Sequence, residues 1–438
     1  MKKATILIII VSVIILIIGL YLLYGILNPS SPIPTENSTI ITPNTTNNST
    51  IIPQNVPLTE LSAVDANNKF AFDLYNQYKD DPEYKGKNIF YSPYSISTAL
   101  AMTYEGARGK TADEMQRVFY FQTDAKVRRP AFAKIYTDLN KEDKPYRLST
   151  ANALWAEKTY NFLDDYKNTI LTYYGGKTTN LDFVNSPEPS RLTINNWVED
   201  QTNDKIKDLI PAGAIDSLTR MVLTNAIYFK ADWQLPFKKE ATYDQNFTLS
   251  DNSKASVKMM HQTDYFNYAE DSNVQILEMP YKGNDLSMLV LLPKSNNIQD
   301  AEESLSKLDE LKNNLNENPV KVELSLPKFK FETEYMMADT LKKMGMPTAF
   351  DPKVADFSGM DGTKNLYISA VIHKAFVAVD ENGTEAAAAT AVIMSKTTGI
   401  TISDPPKIFN ADHPFIFVIQ DKNSGEILFM GKVENPSQ

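Results

Sequence analysis

An uncharged run of 24 residues, 4–27, most constrains the structures open to this chain. Such a run is suited to the interior of a membrane, whereas the rest of the sequence is suited to water. About 20 apolar residues in a helix cross the hydrocarbon core, so the run is long enough to span a membrane. Lys2 and Lys3 precede it and favour a cytoplasmic N-terminus. We therefore expect residues 1–27 to be an uncleaved signal-anchor helix of a single-pass cell-membrane protein whose remaining chain lies outside. The alternative is a cleaved signal peptide and secretion, although no typical small-residue cleavage site follows the run.

Residues 28–56 have the composition of an unfolded tether. Pro, Asn, Ser and Thr supply 21 of these 29 residues, and such a segment cannot bury enough apolar surface to fold. Fully extended, it would reach on the order of 90 Å. Glycosylation sequons begin at Asn37, Asn44, Asn47 and Asn48, although short sequons also arise by chance in such sequence. We expect a stalk between the membrane and a globular domain that covers residues 57–438.

The composition of the chain excludes several kinds of site. The formal net charge of −10 disfavours a nucleic-acid partner, because such proteins need clustered cations. The absence of cysteine excludes disulfides, a thiolate nucleophile and metal sites built on sulfur. No G-x-S-x-G or H-E-x-x-H motif occurs, and His261, His373 and His413 lie in unrelated contexts. We therefore expect no catalytic residues, no metal and no cofactor, and not an enzyme. We also expect a monomer.

Apolar periodicity locates several elements of the globular domain. Helical spacing is present over residues 71–78 and again over 298–311. Strand alternation runs over residues 320–326 and stops at a proline. Residues 415–419 and 427–433 flank a turn and indicate a hairpin. Helices dominate the first half and strands the second, which predicts an α+β fold and not a doubly wound sheet.

Residues 386–391, with the sequence Ala-Ala-Ala-Ala-Thr-Ala, are compatible with two structures. The alanines favour a helix. However, an exposed helix normally includes Glu, Lys or Leu, whereas this run contains only small residues. A segment that enters an existing sheet between two strands also needs small residues, since bulk or charge would block its entry. Composition by itself favours the helix slightly and leaves both structures open.

Five motifs resemble those of one known family. They lie at residues 88–96, at 224–230 followed by Trp233, and at 380–388, 409–415 and 429–436. In these motifs and their order the chain resembles the serpins, over essentially all of residues 60–438. The resemblance implies one domain with the α+β serpin fold, which has three β-sheets, eight or nine α-helices and an exposed reactive-centre loop.

The resemblance also implies a function, suicide inhibition of a serine protease. The protease cleaves the loop and forms an acyl-enzyme, and the loop then inserts into the main sheet as an extra strand. About ten residues that each gain about 1 kcal/mol of ladder hydrogen bonding would release on the order of 10 kcal/mol. This matches the stability of a whole domain, so the native state must be kinetically trapped. The alternative is a non-inhibitory binding or chaperone-like serpin that proteases only cleave.

Carried over by resemblance, the hinge of the loop comprises Glu381, Gly383, Thr384, Glu385, Ala386, Ala387, Ala388 and Ala389. Non-inhibitory serpins tend to carry bulky, charged or proline residues there, so these small residues favour inhibition. Strand periodicity puts Thr384, Ala386 and Ala388 on the buried face of an inserted strand and Glu385 on the exposed face. Asn382 begins a glycosylation sequon, and we predict that it is unmodified because a glycan would obstruct insertion.

The position of the reactive bond depends on the length of the loop. Counting from Glu381 with the commonest length puts the bond between Thr397 and Thr398, which implies an elastase-like or subtilisin-like protease. A loop one residue shorter puts it between Lys396 and Thr397, which implies a trypsin-like protease. Cleavage after Met394 by a chymotrypsin-like protease is a third, more distant option.

Two further sites follow from the resemblance. Ser92, Ser95, Asn225 and His373 match a sheet-opening cluster, and Trp233 matches the point where the loop first enters the sheet. The plainer interpretations are a hydrogen-bonded core histidine for His373 and core packing for Trp233.

Overall fold

A computed structural model describes residues 61–141, 143–315, 319–384 and 405–437. The predicted anchor, the stalk, the hinge beyond Thr384 and both candidate reactive bonds lie outside the described residues. Within the described ranges, every helix is too short or too polar to cross a bilayer.

Ten α-helical segments lie in the described part of the chain. They are α1 (Ala63–Lys79), α2 (Pro93–Gly106), α3 (Gly109–Phe119), α4 (Ala125–Leu139), α5 (Asp164–Tyr174), α6 (Pro187–Gln201), α7 (Ile298–Ser304), α8 (Leu308–Asn313), α9 (Ala338–Met344) and α10 (Ser358–Asp361). A single 3₁₀ turn, Leu305–Lys307, joins α7 to α8, so the two count as one broken helix. On that count the described chain has nine helices, and both segments with helical spacing are helical.

Fifteen strands lie in the same ranges. They are β1 (Ile89–Tyr91), β2 (Tyr146–Glu157), β3 (Lys177–Leu181), β4 (Met221–Asp232), β5 (Thr242–Thr248), β6 (Lys254–Glu270), β7 (Val274–Pro280), β8 (Leu286–Pro293), β9 (Val320–Pro327), β10 (Phe329–Met336), β11 (Ala370–Val379), β12 (Gly383–Thr384), β13 (Lys407–Asn410), β14 (Phe415–Asp421) and β15 (Ile427–Val433). The predicted strand before Pro327 is β9, and the predicted C-terminal hairpin is β14 with β15.

The described strands form three sheets. The main sheet has the order β10–β11–β12–β4–β2–β3, and β11 also pairs directly with β4. The other nine strands form one continuous hydrogen-bonded path. It divides at β6 into the second sheet, β1–β15–β14–β8–β7–β6, and the third, which contains β5, β6, β9 and β13. The long strand β6 belongs to both, because residues 267–270 pair with β7 and residues 259–266 pair with β9. The predicted α+β class with three sheets is confirmed.

Both faces of the main sheet are covered, so its central strands are apolar almost throughout. On β2, Ala153 and Trp155 pack in the cluster that contains Val198 of α6. Leu154, which points to the opposite face, packs in the cluster built by α1 and α2. A polar side chain in the middle of this sheet therefore needs a hydrogen-bond partner within the protein.

Candidate functional site

β4 and β11 are hydrogen-bonded neighbours over only part of their length. The parallel ladder joins residues 222–227 to residues 370–375 and ends there. Above that point β12 lies between the two strands, with Thr384 paired to Val379 on one side and to Ala231 on the other. The chain thus leaves β11, turns, and re-enters the gap that β11 and β4 leave open. We call this gap, bounded by residues 228–232 and 376–379 and occupied by β12, the fork.

Gly383 can occupy the fork because it has no side chain. A Cβ at this position would lie 2.0 Å from the carbonyl oxygen of Ala231 and 2.7 Å from the Cα of Asp232. Both are backbone atoms of β4, which cannot move away without disturbing the ladder of the main sheet. Any larger residue at position 383 would therefore push β12 out of the fork.

A stacked aromatic pair, Tyr281 and Trp233, holds Thr384 in the fork. Its Oγ1 lies 2.7 Å from the hydroxyl of Tyr281, whose ring stacks on Trp233 with centroids 4.6 Å apart. Burial raises the pKa of the Tyr281 phenol, which therefore stays protonated. The Trp233 indole Nε1 donates to the carbonyl of Asp380 at 3.0 Å, and its backbone N–H donates to the carbonyl of Asn382 at 2.7 Å. Trp233 is thus buried in the core and also bonded directly to the turn that leads into the fork.

Glu381 holds the same turn from the other side. Its carboxylate accepts a hydrogen bond from Lys328 Nζ at 2.7 Å, and its carbonyl accepts one from the backbone N–H of Phe237 at 2.8 Å. Burial raises the pKa of Glu381, but the hydrogen bonds from Lys328, a backbone N–H and Thr242, together with the charge of Lys328, outweigh it, so the pKa lies below its ordinary value. Glu381 is therefore an anion that fixes the start of the hinge.

A row of polar residues crosses the main sheet three positions below the fork. The strand register places Asn152, Asn225, His373 and Tyr335 directly opposite one another on β2, β4, β11 and β10. The His373 Nδ1 and the Asn225 Oδ1 are hydrogen-bonded, and Asn225 Nδ2 donates to the Asn152 Oδ1 at 2.5 Å. This row links the two strands that diverge at the fork.

The start of α2 completes the hydrogen bonding of this row. The backbone N–H of Ser92 donates to His373 Nε2 at 3.1 Å, and Asn225 Nδ2 donates to Ser95 Oγ at 2.6 Å. The Ser92 hydroxyl also accepts from the N–H of Ser95 as the N-cap of α2. Since Nε2 accepts, the proton of the neutral ring must be on Nδ1, where it is donated to Asn225. Burial lowers the pKa of His373 to about 3, so the ring is neutral at physiological pH.

The structure thus brings together all four residues of the predicted sheet-opening cluster. Sequence reasoning missed Asn152, although a lone Asn between two alanines of an apolar strand is a signal that could have found it. It also missed Tyr281, for which the sequence offers no comparable signal. His413 contacts Asp412 and donates to the Pro293 carbonyl at 2.7 Å, far from this row in the chain. Among the described residues, no group of three or more His, Asp and Glu side chains could hold a metal.

The match to a family model decides what this arrangement belongs to. The model of the family described as serpin, or serine protease inhibitor, matches residues 65–436. The chain is a serpin. Serpins as a family inhibit serine proteases, and the match covers all the elements that form the fork and the polar row.

Individual relatives of this serpin differ in what their names describe. It is 46% identical over 373 residues to an uncharacterized serpin-like protein of Methanosarcina acetivorans, covering 85% of this chain and 87% of that protein. It is 41% identical over 380 residues to human leukocyte elastase inhibitor, covering 85% and 98% of the two chains. Human thyroxine-binding globulin complexed with thyroxine superposes with a TM-score of 0.77 at 32% identity, covering 87% of this serpin and 100% of that chain.

Proposed function

We propose that this serpin inhibits a serine protease by inserting its cleaved reactive-centre loop between β4 and β11. The observation that carries the proposal is the position of β12. Gly383 and Thr384 already pair with β4, and Thr384 also pairs with β11, so the first residues of the loop occupy the place where a new strand would begin. Extension of β12 toward the polar row needs no change in strand direction.

The register supports a continuous path for the rest of the loop. Thr384 lies opposite Ala231 of β4, so each following residue would pair one position further down. On this count Ala388 would face Ile227 and Ile393 would face Val222. Counting in the same way from the pairing of Thr384 with Val379 places Ala388 opposite Ala375 of β11 and Ile393 opposite Ala370. Residues 388–393 therefore match, from both sides, the six-residue ladder that they would replace.

The composition of the loop agrees with this register. Thr390 is the position that both counts set between Asn225 and His373, where the inserted strand would break their mutual hydrogen bond. A threonine there offers a hydroxyl to both side chains, whereas an aliphatic residue would leave them unsatisfied. The other residues that would face the same buried side as Thr384 are Ala386, Ala388 and Val392, none of them charged.

Insertion replaces one ladder with two. The existing six-residue pairing is lost, but the loop gains a partner on each side along its whole length. At about 1 kcal/mol per net hydrogen bond, this releases on the order of 10 kcal/mol. That free energy is available to displace and distort a covalently attached protease.

The proposal is tested by incubating the full-length chain, reconstituted in nanodiscs, with trypsin, elastase, chymotrypsin and subtilisin. We expect a covalent complex with one of them that survives denaturing electrophoresis. The mass of the released C-terminal peptide identifies the reactive bond, because the peptide begins with Thr398 or with Thr397 according to the two candidate bonds. The same protease with its catalytic serine blocked is the control and must give no complex.

The alternative function is a binding or chaperone-like serpin. The observation that favours it is the likeness to thyroxine-binding globulin, solved with thyroxine bound. Cleavage near Thr397 by every protease without any covalent complex would support the alternative and contradict inhibition.

We also propose that residues 1–27 anchor this serpin, with the folded domain outside the cell. The length of the uncharged run and the two preceding lysines support the anchor. The intact mass of the protein extracted from membranes tests it. An uncleaved chain has a mass of 49.3 kDa, whereas a secreted chain without its signal is shorter by the cleaved residues.

A further inference from the structure

A cavity of about 450 Å³ lies between α1, α4 and the turn that joins β14 to β15. Its volume is within the range of small-molecule sites in proteins. The apolar part of its wall is one face of α4 with the first turn of α1. This part consists of Ala63, Val64, Ala131, Ile135 and Leu139.

Glu426 closes the cavity at the β14–β15 turn and is only 2% exposed. Its Oε2 is buried and has no hydrogen-bond partner. An ionised carboxylate in this position lacks a counter-charge, and a protonated one leaves its hydroxyl without an acceptor. Either form is costly, and the ionised form needs a hydrogen-bond donor from outside the chain.

The other charged side chains of the cavity already have partners. Lys134 and Lys141 both pair with Asp138, and Lys144 pairs with Asp285 at 2.7 Å. Asp421 accepts hydrogen bonds within its own turn from the backbone N–H groups of residues 423 and 424 and from the Ser424 hydroxyl. The lysines are therefore engaged, and the unmet requirement of the cavity is for a hydrogen-bond donor beside Glu426.

We propose that this cavity binds a small organic cation, an apolar body that ends in an ammonium group, and that Glu426 is the anionic partner of the ammonium. The aliphatic wall contributed by α1 and α4 accommodates the apolar body. The ammonium supplies the N–H donors that Oε2 lacks, and a charge-assisted hydrogen bond of this kind is about twice as strong as a neutral one.

The electrostatics of the site predict a proton linkage. Burial first, and then the nearby Asp421 and Asp65, raise the pKa of Glu426 well above its ordinary value, which favours the neutral acid. The cationic ligand lowers that pKa, and binding releases the carboxyl proton to solvent. The charged and titratable groups that face the site from the surrounding elements are Asp65, Tyr94, Lys134, Asp138, Lys141, Lys144 and Asp421.

The test uses three probes that share an indole ring and differ in the charge of the side chain. They are tryptamine, which is a cation, indole-3-ethanol, which is neutral, and indole-3-acetate, which is an anion. Each is titrated calorimetrically into the full-length chain in nanodiscs, with empty nanodiscs as the blank. Two buffers of different ionisation enthalpy report the protons released.

We expect tryptamine to bind at least about tenfold more tightly than the other two probes and to release close to one proton. Glu426→Gln, which keeps the size of the side chain, should weaken tryptamine binding about tenfold and abolish the proton release. Asp138→Asn is the matched control, because this carboxylate lines the same cavity but is already paired, and it should change the affinity less than about threefold. Ala131→Trp, which fills the cavity from α4, should abolish binding.

Three results would overturn the proposal. They are the absence of tryptamine binding at millimolar concentration, equal binding of all three probes, and unchanged binding by the Glu426→Gln variant. Circular dichroism of each variant shows whether it has folded, and a variant that fails to fold is replaced by Glu426→Met at the same position.

Discussion

The hydroxyl groups of Tyr281 and Thr384 lie 2.7 Å apart and join the hinge of the reactive-centre loop to the chain between β7 and β8. Thr384 is 2% exposed, so its side chain already has the buried environment expected for the inserted strand. In the native fork, Thr384 thus already lies in a strand position, and its hydroxyl is already hydrogen-bonded. Four predictions follow from this geometry and from the polar row below it.

Replacing Tyr281 with Phe should weaken the hinge without disturbing the stack on Trp233. The substitution removes one hydrogen bond and leaves a buried threonine hydroxyl without its partner. We therefore expect the free energy of unfolding, measured in urea, to fall by about 1 kcal/mol. Thr384→Val is the partner variant for a double-mutant cycle. If the two losses are fully additive, the hydrogen bond does not couple the residues and our interpretation of the contact is wrong.

Replacing Gly383 with Ala should expel β12 from the fork, since the added Cβ would meet the carbonyl of Ala231. We expect the free energy of unfolding to fall by about 1–3 kcal/mol, as for overpacking in a core. Expulsion removes the cover over Trp233, so its fluorescence should shift to longer wavelength. Asn382→Ala is the neighbouring control and should leave the spectrum unchanged, because Asn382 contacts Trp233 through its backbone carbonyl.

The neutral His373 should make stability fall on acidification. Its pKa is about 3 in the folded chain and about 6.5 when unfolded, so below pH 6.5 the unfolded state binds the extra proton. The free energy of unfolding should fall by about 2 kcal/mol between pH 6.5 and pH 5, and it should not change through this histidine above pH 7. Urea unfolding across this range measures it.

The control for this pH dependence is His373→Gln, which has no titrating ring. Glu426 acts in the opposite sense, because its raised pKa makes stability fall as pH rises above its unfolded value. The comparison is therefore the difference between the wild-type and His373→Gln profiles. Parallel profiles would show that His373 does not titrate as its burial requires.

The proposed inhibition predicts that a charge on the buried face of the loop turns this serpin into a substrate that proteases cleave without being trapped. Thr384 faces the core, so Ala386 would face it too after insertion, whereas Ala387 would face the opposite side of the sheet, beside the half-buried Phe376. Ala386→Arg should therefore be cleaved with little covalent complex, and Ala387→Arg should form the complex at nearly the wild-type yield. Densitometry of the complex on denaturing gels measures both, and equal yields would exclude insertion in this register.

Position 386 is a better site for this test than position 384. Thr384 is already packed against Tyr281 in the native state, so an Arg there would disturb the folded fork as well as insertion. The effect of the charge on insertion alone could not then be separated from its effect on stability.

Local sequence patterns were sufficient for several elements. The alternation that ends at Pro327 is β9, and the two apolar runs at the C-terminus are β14 and β15. The serpin resemblance added the four members of the polar cluster, which no periodicity would have grouped. Ser92, Ser95 and Asn225 lie in recognised motifs, and His373 came from the wider resemblance. Asn152 and Tyr281 belong to the same arrangement, but neither a motif nor the resemblance pointed to them.

What the sequence by itself determined is the set of local preferences and the family. Periods of two and 3.6 residues and turn residues act between neighbours in the chain, so they can be read without coordinates. Only the tertiary structure decided which distant groups meet. Tyr281 and Thr384 are 103 residues apart, and Asn225 and His373 are 148 apart. The unpaired carboxyl of Glu426 is likewise a product of packing, because whether a side chain finds a partner depends on sheet register and helix placement rather than on its own sequence neighbours.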